Sequence, residues 1–172
     1  MRFEITHEFD APLDTVELAV LSPELARMLC RTLAAQATGA AAIESVETVE
    51  HRLENGTLRR VLRFQASAPF SLLRSYSVAK DALSWHEVST YRLADHASTW
   101  TVEPKEEWRR YFRGEGTYRL EKCLNGRTRR TVLGDLEIRV AVLGRVVERM
   151  ALAEVRKTYD AEASTLRALA TL

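Results

Sequence analysis

The sequence predicts an α+β protein in which one antiparallel sheet is covered by a single long helix at the carboxyl end. Between residues 43 and 140 the chain shows mostly the two-residue alternation of strands, with two Asn-Gly hairpin signals. From a start near Val142, apolar side chains then recur every three or four positions, without a proline or glycine after Gly144. Sequential strands with short turns form antiparallel sheets, so the helix is expected to cover their apolar side.

The amino-terminal part is predicted to hold one strand and two short helices. Residues 3–9 alternate apolar and polar side chains, which predicts an opening strand with one buried face. Pro12, with Asp14 behind it, suits the first turn of a helix. Ser22 is the expected cap of the second helix, with Pro23 at its first helical position. The apolar stripe of that helix consists of Leu25, Met28, Leu29 and Leu33.

A series of strands is predicted after the helices. Asn55-Gly56 and Asn125-Gly126 are the strongest turn signals, because both turn positions favour positive φ. Residues 36–42 are predicted as a flexible link, residues 68–82 as a loop with a short helix, and residues 107–113 as a short edge strand or a loop. The predicted strands are 43–54, 57–67, 83–93, 97–104, 115–124 and 127–140.

Length and composition favour one domain, spanning residues 1–172. The formal net charge of +1 is spread along the chain, which argues against a dedicated nucleic-acid binder. Cys30 and Cys123 have no metal-binding or redox spacing, as is typical of a reduced cytoplasmic protein. Arginine outnumbers lysine about five to one, a bias typical of a GC-rich bacterial genome. No signal peptide or membrane-spanning run is seen, so a cytoplasmic location is expected.

Two stretches resemble the START-like, or Bet v 1-like (SRPBCC), superfamily. Residues 3–16 (FEITHEFDAPLDTV) precede Leu21-Ser22-Pro23-Glu24, where the superfamily has a small-Pro-x-x-x-Val helix and then a helix opened by Asp-Pro-Glu. Residues 134–169 are similar to a bacterial branch named only as a domain of unknown function, which ends in Val-Pro-Leu-x-Gly-x-x-x-Glu and a long helix. The matches there are Gly144 and Glu148, and the departures are Ala141 for the proline and Ser22 for the aspartate.

The resemblance implies a helix-grip fold of six to seven strands, with an apolar cavity between the concave sheet and the last helix. Such cavities hold lipids, sterol-like molecules or polyketides, mostly without a cofactor, so no cofactor is expected. The alternative is that the same side chains fill a solid core. Ligand pockets are mainly apolar with a few polar groups, and the expected lining residues are Leu62, Phe64, Trp85, Glu87, Tyr91, Trp100, Tyr118, Leu120, Val147, Met150, Val155 and Tyr159.

Glu87 is the one charged residue in this set. It alternates with Trp85, Ser89 and Tyr91, so it is predicted to lie on the inner face. A buried carboxylate must find a partner, take up a proton or coordinate something. Glu87 could therefore hold a ligand hydroxyl or act as an acid or base. A salt bridge to a neighbouring strand, or a register slip that exposes the side chain, accounts for the same pattern.

Other polar patterns carry weaker predictions. The histidines have no metal-binding spacing, so no metal site is expected; they are His7, His51, His86 and His96. Residues 109–113 mix arginines with aromatics, and Arg127, Arg129 and Arg130 add to them, as in nucleic-acid sites. A solvated sheet edge that discourages strand pairing is the preferred interpretation. Gly114-Glu115-Gly116 lacks the helix and lysine of a phosphate loop and is interpreted as a turn.

The predicted function is the binding, in transport or sensing, of a small hydrophobic molecule such as a lipid or polyketide-like compound, by a monomer or homodimer. A second hypothesis is a polyketide cyclase or dehydratase in which Glu87, Tyr91 or Tyr159 moves protons. A third is a protein-interaction module without a ligand, such as a homodimer formed through an edge strand near Arg110.

Overall fold

The computed structural model describes residues 1–36, 43–66, 84–139 and 144–171, and in the last range the side chains from residue 149 onward. The predicted loop at 68–82 and the predicted helix start near Val142 lie outside these residues, as does all of the predicted link at 36–42 except Gln36.

The described elements form one antiparallel sheet with three helices, which confirms the predicted α+β helix-grip architecture. Along the chain they are β1 (Arg2–Phe9), α1 (Leu13–Leu21), α2 (Leu25–Gln36), β2 (Ile43–Glu54), β3 (Thr57–Ala66), β4 (Ser84–Arg92), β5 (Ala97–Pro104), β6 (Phe112–Lys122), β7 (Thr128–Ile138) and α3 (Gly144–Ala170). The strand order is β1-β7-β6-β5-β4-β3-β2. Apart from the pair β1 and β7, strands that lie side by side in the sheet are consecutive in the chain.

Both Asn-Gly pairs turn the chain as predicted. Asn55 and Gly56, with φ of 49° and 73°, join β2 to β3. Asn125 and Gly126, with φ of 66° and 73°, join β6 to β7. Glycine adopts this left-handed region without a steric cost and asparagine tolerates it. The turns therefore help to fix the strand register, and the register decides which side chains face inward.

The helix starts follow from the two prolines. Pro12 is the residue before α1, in an extended conformation. The Ser22 hydroxyl accepts a hydrogen bond from the Glu24 N–H at 3.2 Å, as predicted for a cap. Regular helical structure in α2 begins only at Leu25, two residues later than the position of Pro23 predicts.

The edges of the described sheet are β1 and β2, so the edge-strand alternative for residues 107–113 is wrong, while the loop alternative describes most of that segment. Glu106–Trp108 form a 3-10 turn, and the chain enters β6 at Phe112, between β5 and β7. Arg110 lies in the connecting turn, with its guanidinium 4.6 Å from the centroid of the Tyr111 ring. The solvated-edge explanation of these arginines is therefore wrong, and so is the placement of Arg110 near an edge strand.

Gly114-Glu115-Gly116 lies inside β6, so its interpretation as a turn is also wrong. A Cβ atom on Gly116 would lie 2.1 Å from the carbonyl oxygen of Leu133 and 2.5 Å from the indole ring of Trp100. On β7 a Cβ atom at Gly134 would lie 2.2 Å from the Phe3 ring. These glycines let two aromatic rings approach the backbone of the sheet, the usual reason for glycine within a strand.

The concave face of the sheet points toward α3, and the two ends of that helix are packed differently. With 27 residues, α3 is roughly 40 Å long. Ala161, Ala163 and Leu166 in its carboxyl half are fully buried. Leu152 and Val155 in its amino half are only partly buried, although they pack against the same core. No helix in the described ranges is both long and apolar enough to cross a membrane.

Candidate functional site

The residues predicted to line a cavity fall into two adjoining groups. Tyr91, Trp100, Tyr118 and Leu120 belong to the main core, against which Val155 and Tyr159 of α3 pack. Leu62 and Phe64 belong to a smaller cluster with α2, and the Phe64 ring stacks on Trp85 with centroids 5.5 Å apart. Met150 is partly buried but is not part of either cluster. The side chain of Val147 lies outside the described residues.

Tyr91 is held by α1. Its hydroxyl donates to Glu17 Oε1 at 2.6 Å, and Nδ1 of His96 lies 2.8 Å from the same oxygen. Burial and the neighbouring Glu17 carboxylate raise the pKa of Tyr91 above its ordinary value. Because its hydroxyl is used in this contact, Tyr91 is a poor proton donor for a ligand.

Arg130 is the functional candidate that sequence reasoning missed, since it was grouped with surface arginines. Its side chain is fully buried on the inner face of β7. Nη1 donates to Glu162 Oε2 at 2.7 Å, and Nη2 donates to the Tyr159 carbonyl at 2.8 Å. Burial lowers the pKa of Arg130, but Glu162 and the adjacent tyrosines outweigh burial and raise it. The available signal was alternation, because Arg130 is in phase with Val132 and Leu136.

His7 connects this buried cation to the surface. Its Nδ1 lies 3.1 Å from Arg130 Nη2, and its Nε2 lies 2.8 Å from Asp160 Oδ1. A guanidinium can only donate hydrogen bonds, so Nδ1 must accept and the ring proton must be on Nε2, facing Asp160. Burial lowers the pKa of His7 below its ordinary value, although the hydrogen bond to Asp160 opposes this effect. The ring is therefore neutral at neutral pH.

Glu87 lies on the inner face of β4, as predicted. It pairs in register with the buried Leu62, which excludes the register slip considered above. It is partly buried, and its carboxyl forms no hydrogen bond or ion pair with another described residue. Burial, followed by repulsion from Glu162, raises the pKa of Glu87 to about 7, while attraction to Arg60 lowers it. Both the neutral and the charged form are therefore populated near neutral pH.

Tyr159 of α3 lies over this part of the sheet. Its ring centroid is 6.3 Å from that of Trp100. Burial, followed by the charges of Glu87 and Glu162, raises the pKa of Tyr159 well above its ordinary value. The phenol is therefore neutral, and it lies near a carboxyl group that titrates close to pH 7.

Several buried polar atoms of the inner face have no hydrogen-bond partner among the described residues. They are Arg60 Nε, Trp100 Nε1, the Tyr118 hydroxyl and Arg130 Nε. Nearly all buried polar groups in folded proteins are paired, so such atoms mark places where water or a ligand can complete the hydrogen bonding. They are contributed by four different strands, β3, β5, β6 and β7.

The described residues also form two open surface hollows, neither of them between the sheet and α3. A polar hollow of about 630 Å³ is lined by residues such as Arg63, His86 and Glu103 on the outer face of the sheet. A hollow of about 400 Å³ lies between α2 and the edge strand β2, near Cys30 and Val46. In the described parts of the chain, no group of three or more His, Cys, Asp or Glu residues is placed to hold a metal ion.

Comparisons with known proteins agree with this architecture. The family model described as "Protein of unknown function (DUF2505)" matches residues 4–169. No curated protein matches the chain significantly. Among solved structures, the chain is similar to the protein TTHA0849 from Thermus thermophilus, with a TM-score of 0.65 and 15% identity over 99% of this chain and 97% of that one. The fold is that of Bet v 1-like proteins, as predicted.

Two solved enzymes share this fold. The Zhui aromatase/cyclase from Streptomyces sp. R1128 has a TM-score of 0.65 and 16% identity over 99% of this chain and 93% of that one. Norcoclaurine synthase from Thalictrum flavum has a TM-score of 0.61 and 14% identity over 98% of this chain and 85% of that one. At these identities the likeness shows the fold and not the activity.

Proposed function

We propose a function for this chain, which belongs to the family described as a protein of unknown function (DUF2505). The proposed function is the binding of a small hydrophobic molecule, such as a lipid or a polyketide-like compound, between the concave face of the sheet and α3. Solved structures named as an aromatase/cyclase and as norcoclaurine synthase have the same fold, which supports a site for small molecules.

The observation that carries the proposal is incomplete apolar packing between the sheet and the amino half of α3. Val102, Phe112 and Ile138 point inward from three strands, and Leu152 and Val155 face them from the helix. All five pack against the core but are only partly buried. Covering such side chains is favourable by about 2.5 kcal/mol per 100 Å² of apolar surface removed from water. An apolar molecule bound here would cover these side chains.

The unpaired polar atoms support the same location. Trp100 Nε1 and the Tyr118 hydroxyl are buried on the inner face without a hydrogen-bond partner in the described parts of the chain. A pocket that is mainly apolar uses a few such groups to orient its ligand. These two side chains, with Tyr159 above them, are the groups that we expect to contact polar atoms of the bound molecule.

Native mass spectrometry of freshly purified protein, followed by organic extraction, tests the proposal directly. We expect an additional mass that disappears on extraction. Binding of the neutral dye N-phenyl-1-naphthylamine provides a second test. The Val155→Trp variant should fill the gap and weaken dye binding at least tenfold, while Arg156→Trp, on the exposed face of the same helix, should leave it unchanged. No added mass and no dye binding, or equal dye binding by both variants, would refute the proposal.

A second candidate function is an enzyme of the cyclase or dehydratase type. It is favoured by the raised pKa of Glu87, about 7, because an acid or base works best when its pKa lies near the working pH. Tyr159 lies near enough for the charge of Glu87 to raise its pKa. Incubation of the extracted molecule with the protein and with the Glu87→Gln variant tests this candidate. A change in mass that requires Glu87 would support an enzyme, and an unaltered molecule would refute it.

A further inference from the structure

We propose that the hydrophobic ligand carries a carboxylate, and that Arg60 binds this carboxylate with Trp100 as an additional hydrogen-bond donor. The inference rests on the proposed function, because it specifies the chemistry of the molecule held at that site. It is drawn from the unequal pairing of two buried arginines.

Arg60 is a buried cation without a carboxylate partner. It lies on the inner face of β3 between Leu58 and Leu62, with 8% of its surface exposed. Its Nη1 donates to the Val20 carbonyl at 3.0 Å, and its Nε has no partner. Within the described ranges, no carboxylate oxygen lies within 4 Å of its guanidinium nitrogens. A buried charge is costly unless it is paired, so a compensating anion is expected.

Arg130, a second buried arginine on the inner face, does have a carboxylate partner. Arg130 is fully buried, and its charge is balanced by Glu162 at 2.7 Å. Glu87 does not balance the charge of Arg60 in this way, because its carboxylate oxygens lie more than 4 Å from the guanidinium nitrogens. Burial also raises the pKa of Glu87 to about 7, so much of its population is neutral near neutral pH. The positive charge of Arg60 is thus left for another group to balance.

The strand register places Arg60 two strands away from a second unpaired donor, Trp100 Nε1. Arg60 pairs with Ser89 of β4, and Ser89 pairs with Trp100 of β5. Two strand spacings separate Arg60 from Trp100, which is about 10 Å between backbones. The side chain between them is only a serine, and the Trp100 ring packs against Gly116 on the side away from Ser89. The small Ser89 side chain therefore leaves room on the inner face between the Arg60 side chain and the Trp100 ring.

The unpaired nitrogen atoms of Arg60 and Trp100 need a hydrogen-bond acceptor. Arginine Nε and tryptophan Nε1 can only donate. A carboxylate offers two oxygens with about four acceptor positions and a charge that balances Arg60. The planar guanidinium also matches carboxylate geometry. An alcohol or an ester would meet some of the donors but would leave the charge of Arg60 unbalanced.

Calorimetric titration with matched probes tests this inference. The probes are decanoate with methyl decanoate, and 2-naphthoate with its methyl ester, so that each acid is compared with a neutral molecule of similar shape. We expect at least one acid to bind ten or more times tighter than its ester. Arg60→Met should reduce that preference to less than twofold and keep the affinity for the ester. Arg63→Met, on the outer face of β3 and paired with Glu47, should keep the preference.

A second measurement does not depend on the folding of the Arg60 variant. In the unaltered protein, the acid should shift the NMR signal of the Trp100 indole N–H more than the ester does, with Trp100→Phe identifying that signal. Equal affinities for acids and esters would overturn the carboxylate inference and leave the proposed function standing. A preference lost equally in Arg63→Met would also overturn the inference. Failure of all four probes to bind would overturn the carboxylate inference, while the proposed function is decided by the native mass and the dye binding described above.

Discussion

The guanidinium of Arg130 and the carboxylate of Glu162 lie 2.7 Å apart in the interior, and their ion pair joins β7 to α3. Arg130 is fully buried, and 15% of the Glu162 side chain is exposed. The contact lies in the half of α3 that contains the fully buried Ala161, Ala163 and Leu166. It therefore holds the carboxyl half of the helix against the sheet, while the amino half, which carries the proposed ligand-facing residues, is packed less completely.

Loss of one partner of this pair should destabilise the protein strongly. In Glu162→Gln the buried Arg130 would keep its charge without a counterion, which typically costs about 3–5 kcal/mol of the free energy of unfolding. Urea denaturation followed by circular dichroism measures this change. The control is Glu154→Gln, which removes the exposed Lys157 ion pair on the same helix and should cost less than about 1 kcal/mol. Similar losses in both variants would contradict the role assigned to Glu162.

The raised pKa of Glu87 predicts that stability falls as pH rises. The pKa is about 7 in the folded protein against an ordinary value of 4.5, so the folded state binds more protons between these values. The contribution of Glu87 is fully present below pH 4.5 and is lost as pH rises through about 7. Relative to the unaltered protein, Glu87→Gln should gain roughly 2 kcal/mol of unfolding free energy between pH 5 and pH 8.

Urea titrations at pH 5 and pH 8 check this prediction for Glu87. Glu103→Gln is the matched control, because Glu103 is exposed on the outer face of the adjacent strand β5. If Glu87→Gln and Glu103→Gln showed the same dependence on pH, Glu87 would not have the raised pKa described above.

The lowered pKa of His7 predicts the opposite effect, that stability falls as pH falls. Its pKa is lowered by burial from an ordinary value of 6.5, so the unfolded state takes up a proton at a higher pH than the folded state does. The contribution of His7 is present above pH 6.5 and is lost as pH falls through its folded pKa. NMR titration of the ring signals should show this lowered pKa. The stability of His7→Gln should decline less between pH 7 and pH 5 than that of His86→Gln, whose altered side chain lies on the outer face.

Gly116 should tolerate no side chain. A Cβ atom there would meet the Leu133 carbonyl oxygen at 2.1 Å, and this backbone atom cannot move aside as a flexible side chain would. Gly116→Ala should therefore lower the free energy of unfolding by about 1–3 kcal/mol, the usual range for overpacking. Gly114→Ala is the control in the same strand, since its closest contact is the Val102 side chain at 3.1 Å. Equal stability of the two variants in urea would contradict this account of Gly116.

Much of the fold could be predicted because its signals are local. The Asn-Gly turns marked both hairpins, and the alternation of Trp85, Glu87 and Tyr91 placed Glu87 on the inner face before the structure was known. Each signal needs only a few neighbouring residues. The arrangement of the glycines in β6 could not be recognised in this way, because Gly116 is required by the approach of Trp100 from a different strand.

The buried arginines show where local reasoning failed. Arg130 stands beside Arg129, and a run of arginines was interpreted as a solvated surface. Extending the apolar phase of Val132 back by two residues would have placed Arg130 inside, but nothing nearby in the sequence indicated a partner for its charge. That partner, Glu162, is 32 residues further along the chain.

By itself the sequence determined the order of the elements, the hairpins and the face on which most side chains lie, because backbone geometry repeats every two residues in a strand and every 3.6 in a helix. Only the tertiary structure decided that Arg130 meets Glu162, that Tyr91 donates to Glu17 and that Arg60 meets no carboxylate in the described chain. Such pairings depend on which segments, distant in sequence, pack against one another. Burial then fixes their energetic consequences, since only a charge removed from water requires a partner.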